Sequence, residues 1–137
     1  MTDRFKFRAY NKELRKMYEV DTICPYEDNH TKGGEVFLKG IQYNSFYFPE
    51  EVELMQSTGL KDKNGKLIYE GDVIENLIIQ AKYIVVFSNA KFMLKSTISE
   101  SYLSPDTNFD EVIGNIYENK ELLNENSWRN KGRDKKA

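Results

Sequence analysis

Residues 54–75, LMQSTGLKDKNGKLIYEGDVIE, are the stretch that decides how this chain folds. The centre of this stretch, residues 62–65 (DKNG), is a strong turn signal, because an Asp side chain accepts backbone N–H groups and Asn-Gly tolerates positive φ. The expected geometry is a type I turn that Gly65 closes in the left-handed conformation, with a G1 bulge. Apolar segments flank the turn, at residues 55–60 and 67–74, so the sequence predicts a hairpin.

After the hairpin, Gly71-Asp72 leads into Val73-Ile74, a pattern that is typical of a bend opening a strand in a small barrel. Asp62, Glu70 and Asp72 could instead cluster around Mg²⁺, as in a metal-dependent nuclease. Turn chemistry is the preferred interpretation, because Asn and Asp dominate turns for local reasons. The residues that we assign to structural turns are Asp62, Asn64, Gly65, Gly71 and Asp72.

Three segments of the chain carry a family resemblance. Residues 57–75, STGLKDKNGKLIYEGDVIE, resemble the core motif of the YopX family of phage and prophage proteins. Residues 5–10, FKFRAY, resemble the opening strand of that family, and residues 112–123, VIGNIYENKELL, resemble its closing segment. Lys120 stands where a proline is often found, a tolerable change at a first helical position. The three segments occur in the right order, whereas residues 21–53 and 96–110 show no such match.

The resemblance implies a mainly β fold with a small SH3-like barrel in the C-terminal part and a tendency to form homo-oligomers. It implies no activity, cofactor or catalytic residue set. We therefore expect an N-terminal β-hairpin region with an irregular loop at residues 1–53 and a barrel at residues 54–123. The barrel is expected to end in a short helical turn, and a disordered basic tail follows at residues 124–137.

Composition bounds the class of protein. The 137 residues are 39% hydrophobic and 31% charged, with 13% aromatics, which describes a globular β-rich chain. The net charge of −2 provides no global basic field that would attract nucleic acid. Cys24 is the only cysteine, which suits a reducing compartment. The sequence shows neither a signal peptide nor an apolar run of about 20 residues, so we expect a cytoplasmic protein with no membrane contact. The resemblance to phage proteins implies that this is the cytoplasm of a bacterial host cell.

Local patterns in the N-terminal half leave two alternatives open. Residues 5–10 alternate as a half-buried strand, and residues 12–20 form either the returning strand of a hairpin or one helix. The resemblance favours the hairpin. Residues 21–34 are polar and broken by Pro25 and Gly33-Gly34, which predicts an irregular loop. Pro49 either begins a short helix or precedes an extended strand that runs into the central stretch, and the strand is preferred.

In the C-terminal half, residues 77–88 (LIIQAKYIVVFS) are the most apolar run, and their Ile and Val content predicts strand, with a break near residues 80–82. Residues 96–110 are expected to form a loop, and residues 112–117 the last strand. Asn119 is expected to cap a short helical turn through Leu122-Leu123.

Candidate chemistry is sparse. Cys24 and His30 stand six positions apart in the predicted loop. A zinc site needs about four such ligands, and nothing near this pair suggests the orienting group of a Cys–His nucleophile. Glu50, Glu51 and Glu53 are explained as solvated charge. The chain has no glycine-rich phosphate loop. The sequence predicts no metal site, no cofactor and no catalytic set.

The favoured interpretation is a non-catalytic accessory protein that acts as a homo-oligomeric interaction module and also contacts a phage or bacterial host protein. The first alternative is a module that binds nucleic acid through the lysines around the turn. The second alternative is a metal-dependent hydrolase. The residues relevant to nucleic acid are the lysines Lys61, Lys63 and Lys66, supported by the aromatic residues Tyr43, Phe46, Tyr47 and Phe48.

Overall fold

The computed structural model describes residues 5–24, 34–41 and 46–123, and within these ranges the chain is mainly antiparallel β-sheet. His30, Tyr43 and the basic tail lie outside the described residues. The chain divides into two compact units, Met1–Gly59 and Leu60–Ala137. The strands are β1 Phe7–Asn11, β2 Lys16–Cys24, β3 Glu35–Leu38, β4 Val52–Lys61, β5 Leu67–Tyr69, β6 Asp72–Asn76, β7 Ala81–Ser88, β8 Lys91–Ser96, β9 Tyr102–Leu103 and β10 Asp110–Asn115.

The first sheet has the strand order β3-β2-β1-β4-β5. Its centre is the β1–β2 hairpin, in which Ala9 faces Tyr18 and Asn11 faces Lys16. The predicted N-terminal hairpin is therefore confirmed, and the helical alternative for residues 12–20 is wrong. In the first unit Ala9, Val36 and Val52 form a buried core, because alternate residues of each strand point to the same face.

The second sheet has the strand order β10-β6-β7-β8-β9. Ile74, Tyr83, Val85 and Leu94 build its core together with Ile68. The small SH3-like barrel that the family resemblance implied is not observed as a closed barrel, because β10 and β9 remain the two ends of the described sheet and do not pair with each other. The fold class is mainly β, with two open antiparallel sheets.

Within the described ranges, a short 3₁₀ helix precedes β4 at Pro49–Glu51 and another follows β10 at Lys120–Leu123. Both alternatives for Pro49 are thus partly correct. Pro49 begins a short helix, and the extended strand β4 starts directly after it at Val52. The short helical turn predicted near the C-terminus is confirmed. No helix in the described ranges has the length and apolarity needed to cross a membrane.

Three local predictions are wrong. Residues 102–103, within the loop predicted at residues 96–110, form the short strand β9, which pairs with β8. Residues 21–24, predicted as loop, are strand, because β2 continues to Cys24 and pairs there with Glu35 of β3. The apolar run at residues 77–88 is strand only from Ala81, since β6 ends at Asn76 and a turn occupies residues 77–80.

Candidate functional site

The turn at residues 62–66, called here the signature turn, is organised by the carboxylate of Asp62. Its Oδ1 accepts the N–H groups of Asn64 and Lys66, both at 2.9 Å. The N–H of Gly65 donates to the carbonyl of Asp62 at 2.9 Å, and Gly65 has φ 84°. Glycine adopts this left-handed conformation without steric cost.

The same carboxylate connects the signature turn to β10. Asp62 Oδ2 accepts the N–H of Val112 at 2.9 Å, fifty positions further along the chain. The N–H of Lys63 donates to the carbonyl of Asp110 at 3.0 Å, and the amide of Asn64 donates to Glu111 at 3.3 Å. The signature turn thereby satisfies backbone groups on the edge of β10 that β6 leaves open.

The electrostatics of Asp62 follow from these contacts. Burial alone raises the pKa of Asp62, but the N–H groups of Val112, Lys66 and Asn64 outweigh it, and the charge of Lys66 adds to their effect. The net result is a pKa below the usual value, since all these groups favour the ionised carboxylate. Both oxygens of Asp62 are thus engaged by backbone donors, an arrangement suited to an anion that holds structure together.

The Gly71-Asp72 bend connects the same two segments a second time. Gly71 has φ 85°, its N–H donates to the carbonyl of Val85, and its carbonyl accepts the N–H of Ile116, both at 2.9 Å. Asp72 Oδ2 accepts the N–H of Tyr69 at 2.8 Å. The central stretch and the closing segment therefore meet at both the turn and the bend.

The three lysines proposed for nucleic acid are exposed on and beside the signature turn. Lys63 Nζ lies 3.8 Å from the carboxylate of Glu111, and Lys66 stands close enough to Asp62 to lower its pKa. Acidic groups thus balance part of the positive charge. Tyr47 packs against the core of the first unit, while the Phe46 ring contacts Phe37 in a tilted arrangement and Phe48 edge to face.

Sequence reasoning missed Asp110 and Asn76, which form a buried pair between β10 and β6. Asn76 Nδ2 donates to Asp110 Oδ1 at 3.0 Å, and the N–H of Asp106 donates to Asp110 Oδ2 at 2.6 Å. Burial raises the pKa of Asp110, and these two donors only partly oppose it. The available sequence signal was an Asn placed directly before the apolar run, a residue type that commonly starts turns.

Gly114, in the closing segment, lies where a larger residue would not fit. A Cβ on Gly114 would lie 2.6 Å from Asn119 Oδ1 and 2.7 Å from Leu122 Cδ1. Asn119 Oδ1 accepts the N–H of Asn115 at 3.1 Å, and the Asn119 carbonyl accepts the N–H of Leu122. The predicted cap is therefore corrected, because the Asn119 side chain holds β10 while its backbone begins the helical turn.

Two other turns share one backbone design and are named here by their surfaces. In the polar turn, residues 12–15, Asn11 Oδ1 accepts the N–H groups of Glu13 and Leu14 at 3.0 Å, and Arg15 has φ 55°. In the aliphatic turn, residues 77–80, Asn76 Oδ1 accepts two N–H groups at the same distance, and Gln80 has φ 57°.

The aliphatic turn displays apolar side chains to solvent. Leu77, Ile78 and Ile79 are 41%, 65% and 53% exposed. Leu77 N–H donates to the carbonyl of Phe109 at 3.0 Å, and Phe109 is itself 38% exposed. The strand predicted for residues 77–79 is absent because the Asn76 side chain captures the backbone N–H groups that would continue β6.

No metal-binding cluster of three or more His, Cys, Asp or Glu residues occurs among the described residues. Cys24 lies at the end of β2, and its proposed partner His30 is outside the described ranges. Glu51 accepts the N–H of Phe48 at 2.9 Å, and Glu53 pairs with Lys12 at 3.0 Å. Both glutamates therefore have structural partners, Glu51 within its own turn and Glu53 on a distant segment.

Comparisons with known proteins match this fold. The family model described as YopX protein matches residues 6–124. A solved structure of protein EF1440 from Enterococcus faecalis is 26% identical, with a TM-score of 0.64, and the match covers 87% of this chain and 97% of that one. Protein yopX from Bacillus subtilis is 20% identical, with a TM-score of 0.55 over 88% of this chain and 99% of that one, a likeness of fold. None of the curated proteins matches.

Proposed function

Since this chain belongs to the YopX protein family, we propose that it is a non-catalytic phage or prophage accessory protein, acting as a homo-oligomeric interaction module in the bacterial cytoplasm. The site geometry supports a role without catalysis. Asp62, the most connected carboxylate of the signature turn, accepts three backbone N–H groups. A general base or a metal ligand needs a lone pair directed at its substrate or ion.

The observation that carries the proposal is the aliphatic turn. Its three aliphatic residues are exposed, although the polar turn shows that the same backbone forms with Lys12 and Glu13 at the corresponding positions. The fold therefore does not require aliphatic side chains there. Exposed apolar groups that the fold does not need are typical of contact surfaces.

A second copy of the chain is the partner that the surface chemistry favours. The exposed side chains of Leu77, Ile78 and Ile79 carry no charge. An uncharged aliphatic surface is complementary to itself, as a two-fold symmetric interface requires. Residues around the turn would complete an interface of the usual area, since three side chains alone are too few. A host or phage protein would then bind the assembled form.

The sharpest test transplants the polar turn onto the second unit, replacing residues 77–80 (LIIQ) by the KELR of residues 12–15. Because both turns use the same backbone, stability should change by less than about 0.5 kcal/mol. Size-exclusion chromatography with light scattering should show an assembly of the 16.1 kDa chain for the parent protein and a smaller species for the transplant.

The matched control is Leu14→Ser in the polar turn, which removes an apolar side chain that is 51% exposed. This variant should assemble as the parent does. A parent protein that stays monomeric at high concentration would refute self-association, and a transplant that assembles normally would place the interface elsewhere.

Nucleic-acid binding is the second candidate, supported by the exposure of Lys61, Lys63 and Lys66. Its test is charge reversal of all three lysines, followed by a binding titration with single- and double-stranded DNA and RNA at two salt concentrations. Binding that persists after reversal would exclude this site. Phosphate contacts by three lysines would give a marked salt dependence.

A further inference from the structure

Asn64 is the one exposed asparagine among the described residues that a glycine follows. Asn89 and Asn108 are also exposed, but residues with a side chain follow both. Glycine leaves its backbone nitrogen open to approach, because it has no Cβ to hinder a neighbouring group. A Cβ built on Gly65 would meet no heavy atom within 4 Å beyond its chain neighbours, so the surroundings of this peptide are open as well.

An exposed Asn-Gly pair can lose its side-chain amide without an enzyme. The Gly65 nitrogen attacks the side-chain carbonyl carbon of Asn64, the bond from that carbon to Nδ2 breaks, and ammonia leaves with the proton of the attacking nitrogen. A succinimide ring remains. Water then adds to one of the two ring carbonyls and opens the ring. Attack at Cγ gives aspartate, and attack at the backbone carbonyl gives isoaspartate, in which the main chain runs through the former side chain.

The signature turn opposes this reaction. The N–H of Gly65 donates to the carbonyl of Asp62 at 2.9 Å, so the attacking nitrogen is engaged. The backbone N–H of Asn64 donates to Asp62 Oδ1 at 2.9 Å, and the leaving nitrogen, Nδ2, donates to Glu111 Oε1 at 3.3 Å. The turn must open before the ring can form, so reaction in the folded protein follows the fraction of time that the turn is open.

Either product would weaken the contact between the signature turn and β10. In aspartate a carboxylate replaces the Nδ2 donor that faces Glu111, and Lys63 Nζ, 3.8 Å from Glu111, offsets part of the resulting repulsion. In isoaspartate the main chain gains one atom between the N–H groups of residues 64 and 66, which both donate to Asp62 Oδ1. The other oxygen of Asp62 holds the N–H of Val112, so displacement of this carboxylate reaches β10.

We propose that Asn64 is a site of spontaneous deamidation, that opening of the signature turn sets its rate, and that the product weakens the hold of the turn on β10. The modification accumulates with the age of the folded protein, and the chain itself does not reverse it. This inference uses neither the aliphatic turn nor self-association, so it stands independently of the proposed function.

Mass spectrometry of proteolytic fragments measures the reaction, and isoaspartyl methyltransferase labels the isoaspartate product. The folded protein and a synthetic peptide of residues 60–68 are incubated side by side at mildly alkaline pH. We expect conversion at Asn64 and not at the exposed control Asn89, at a rate about tenfold or more below that of the peptide, since opening breaks several hydrogen bonds. Asp62→Ala removes the acceptor of three backbone N–H groups and should bring the rate closer to that of the peptide.

The effect on β10 has two readouts of its own. The converted protein, separated by ion exchange, should exchange the Val112 amide hydrogen faster than the parent does, because that amide donates to Asp62. Asn64→Asp, a stable copy of one product, should lower the urea midpoint. Adding Glu111→Gln should remove most of that loss, since it takes away the charge that the new carboxylate faces.

Asn64 that stays unconverted while Asn89 reacts, or long after the peptide has converted completely, would overturn the modification site. A rate in the folded protein equal to that of the peptide would overturn control by the turn. Unchanged exchange at Val112 in the converted protein, or a midpoint loss in Asn64→Asp that is equally large with Glu111→Gln, would overturn the effect on β10.

Discussion

The polar turn and the aliphatic turn have the same backbone conformation but expose different side chains. Each follows an Asn that ends a strand, and each Asn side chain accepts two N–H groups of its turn. In each, the fourth turn residue has a positive φ and donates its N–H to the carbonyl of the Asn at 2.7 Å. The outward residues are KEL in one turn and LII in the other.

This comparison separates what the fold requires from what the surface offers. The Asn and the left-handed fourth residue recur, so the hairpin depends on them. The side chains between them differ freely, and only the aliphatic turn exposes a run of three apolar residues. The two asparagines also differ in the contacts of their side-chain amides. Asn76 Nδ2 donates to the buried carboxylate of Asp110, whereas Asn11 Nδ2 has no acceptor among the described residues.

The largest expected effect is the loss of stability from Asn76→Ala. The substitution removes the acceptor for two turn N–H groups and leaves the buried Asp110 carboxylate without one donor, which should cost about 3 kcal/mol. Asn11→Ala removes the same turn contacts but no contact of its Nδ2, so about 1 kcal/mol is expected. Urea denaturation of both variants measures the difference. Equal losses would mean that the Asn76–Asp110 contact adds nothing to stability.

The second prediction concerns pH. Burial already raises the pKa of Asp110, and the Asn76 amide opposes that rise. Without the Asn76 amide, the folded-state pKa of Asp110 moves further above its unfolded value. The loss of stability caused by Asn76→Ala is therefore largest at neutral pH. As the pH falls through the folded-state pKa, Asp110 binds a proton and the penalty shrinks. Denaturation midpoints of Asn76→Ala and the parent should therefore converge on acidification.

Asn11→Ala provides the control for that experiment, because no ionisable group contacts Asn11 in the described hydrogen bonds. Its difference from the parent protein should stay constant over the same pH range. A parallel convergence of both variants would show that the effect does not arise at Asp110.

The smallest expected effect tests the backbone that the turns share. Arg15 and Gln80 have nearly the same positive φ, which costs any residue with a Cβ. Arg15→Gly and Gln80→Gly should each raise the free energy of unfolding by about 0.5 kcal/mol, as the relief of strain slightly exceeds the added entropy of the unfolded chain. Thermal denaturation should show equal gains, and unequal gains would mean that the two turns are strained to different degrees.

Patterns of neighbouring residues correctly predicted those strands and turns that are determined by neighbouring residues alone. Alternation at residues 5–10 predicted β1, whereas the pattern of residues 12–20 left strand and helix open and only the family resemblance favoured the hairpin. The aliphatic run failed because Ile and Val favour strands, while the competing Asn76 side chain terminates β6. Closure of a barrel depends on pairing between distant strands, which no local pattern reports.

The candidate site divides in the same way. Asp62 and Gly65 stand within one turn signal, so their local geometry follows from residue type. The contact of Asp62 with Val112 spans fifty positions, and the Asn76–Asp110 pair spans 34. The residues around Val112 and Asp110 do not mark them as the partners of Asp62 and Asn76. The exposure of Leu77, Ile78 and Ile79 likewise depends on where β6 stops.

The connection of Asp62 to Val112 has a consequence for the order of events during synthesis. The ribosome releases the signature turn well before β10, so the hairpin must wait for the next fifty residues before Asp62 reaches its final donor. Until then the edge of β6 that later receives β10 is open to other chains. Emerging chains of this protein are therefore most exposed to strand exchange just before the closing segment leaves the exit tunnel.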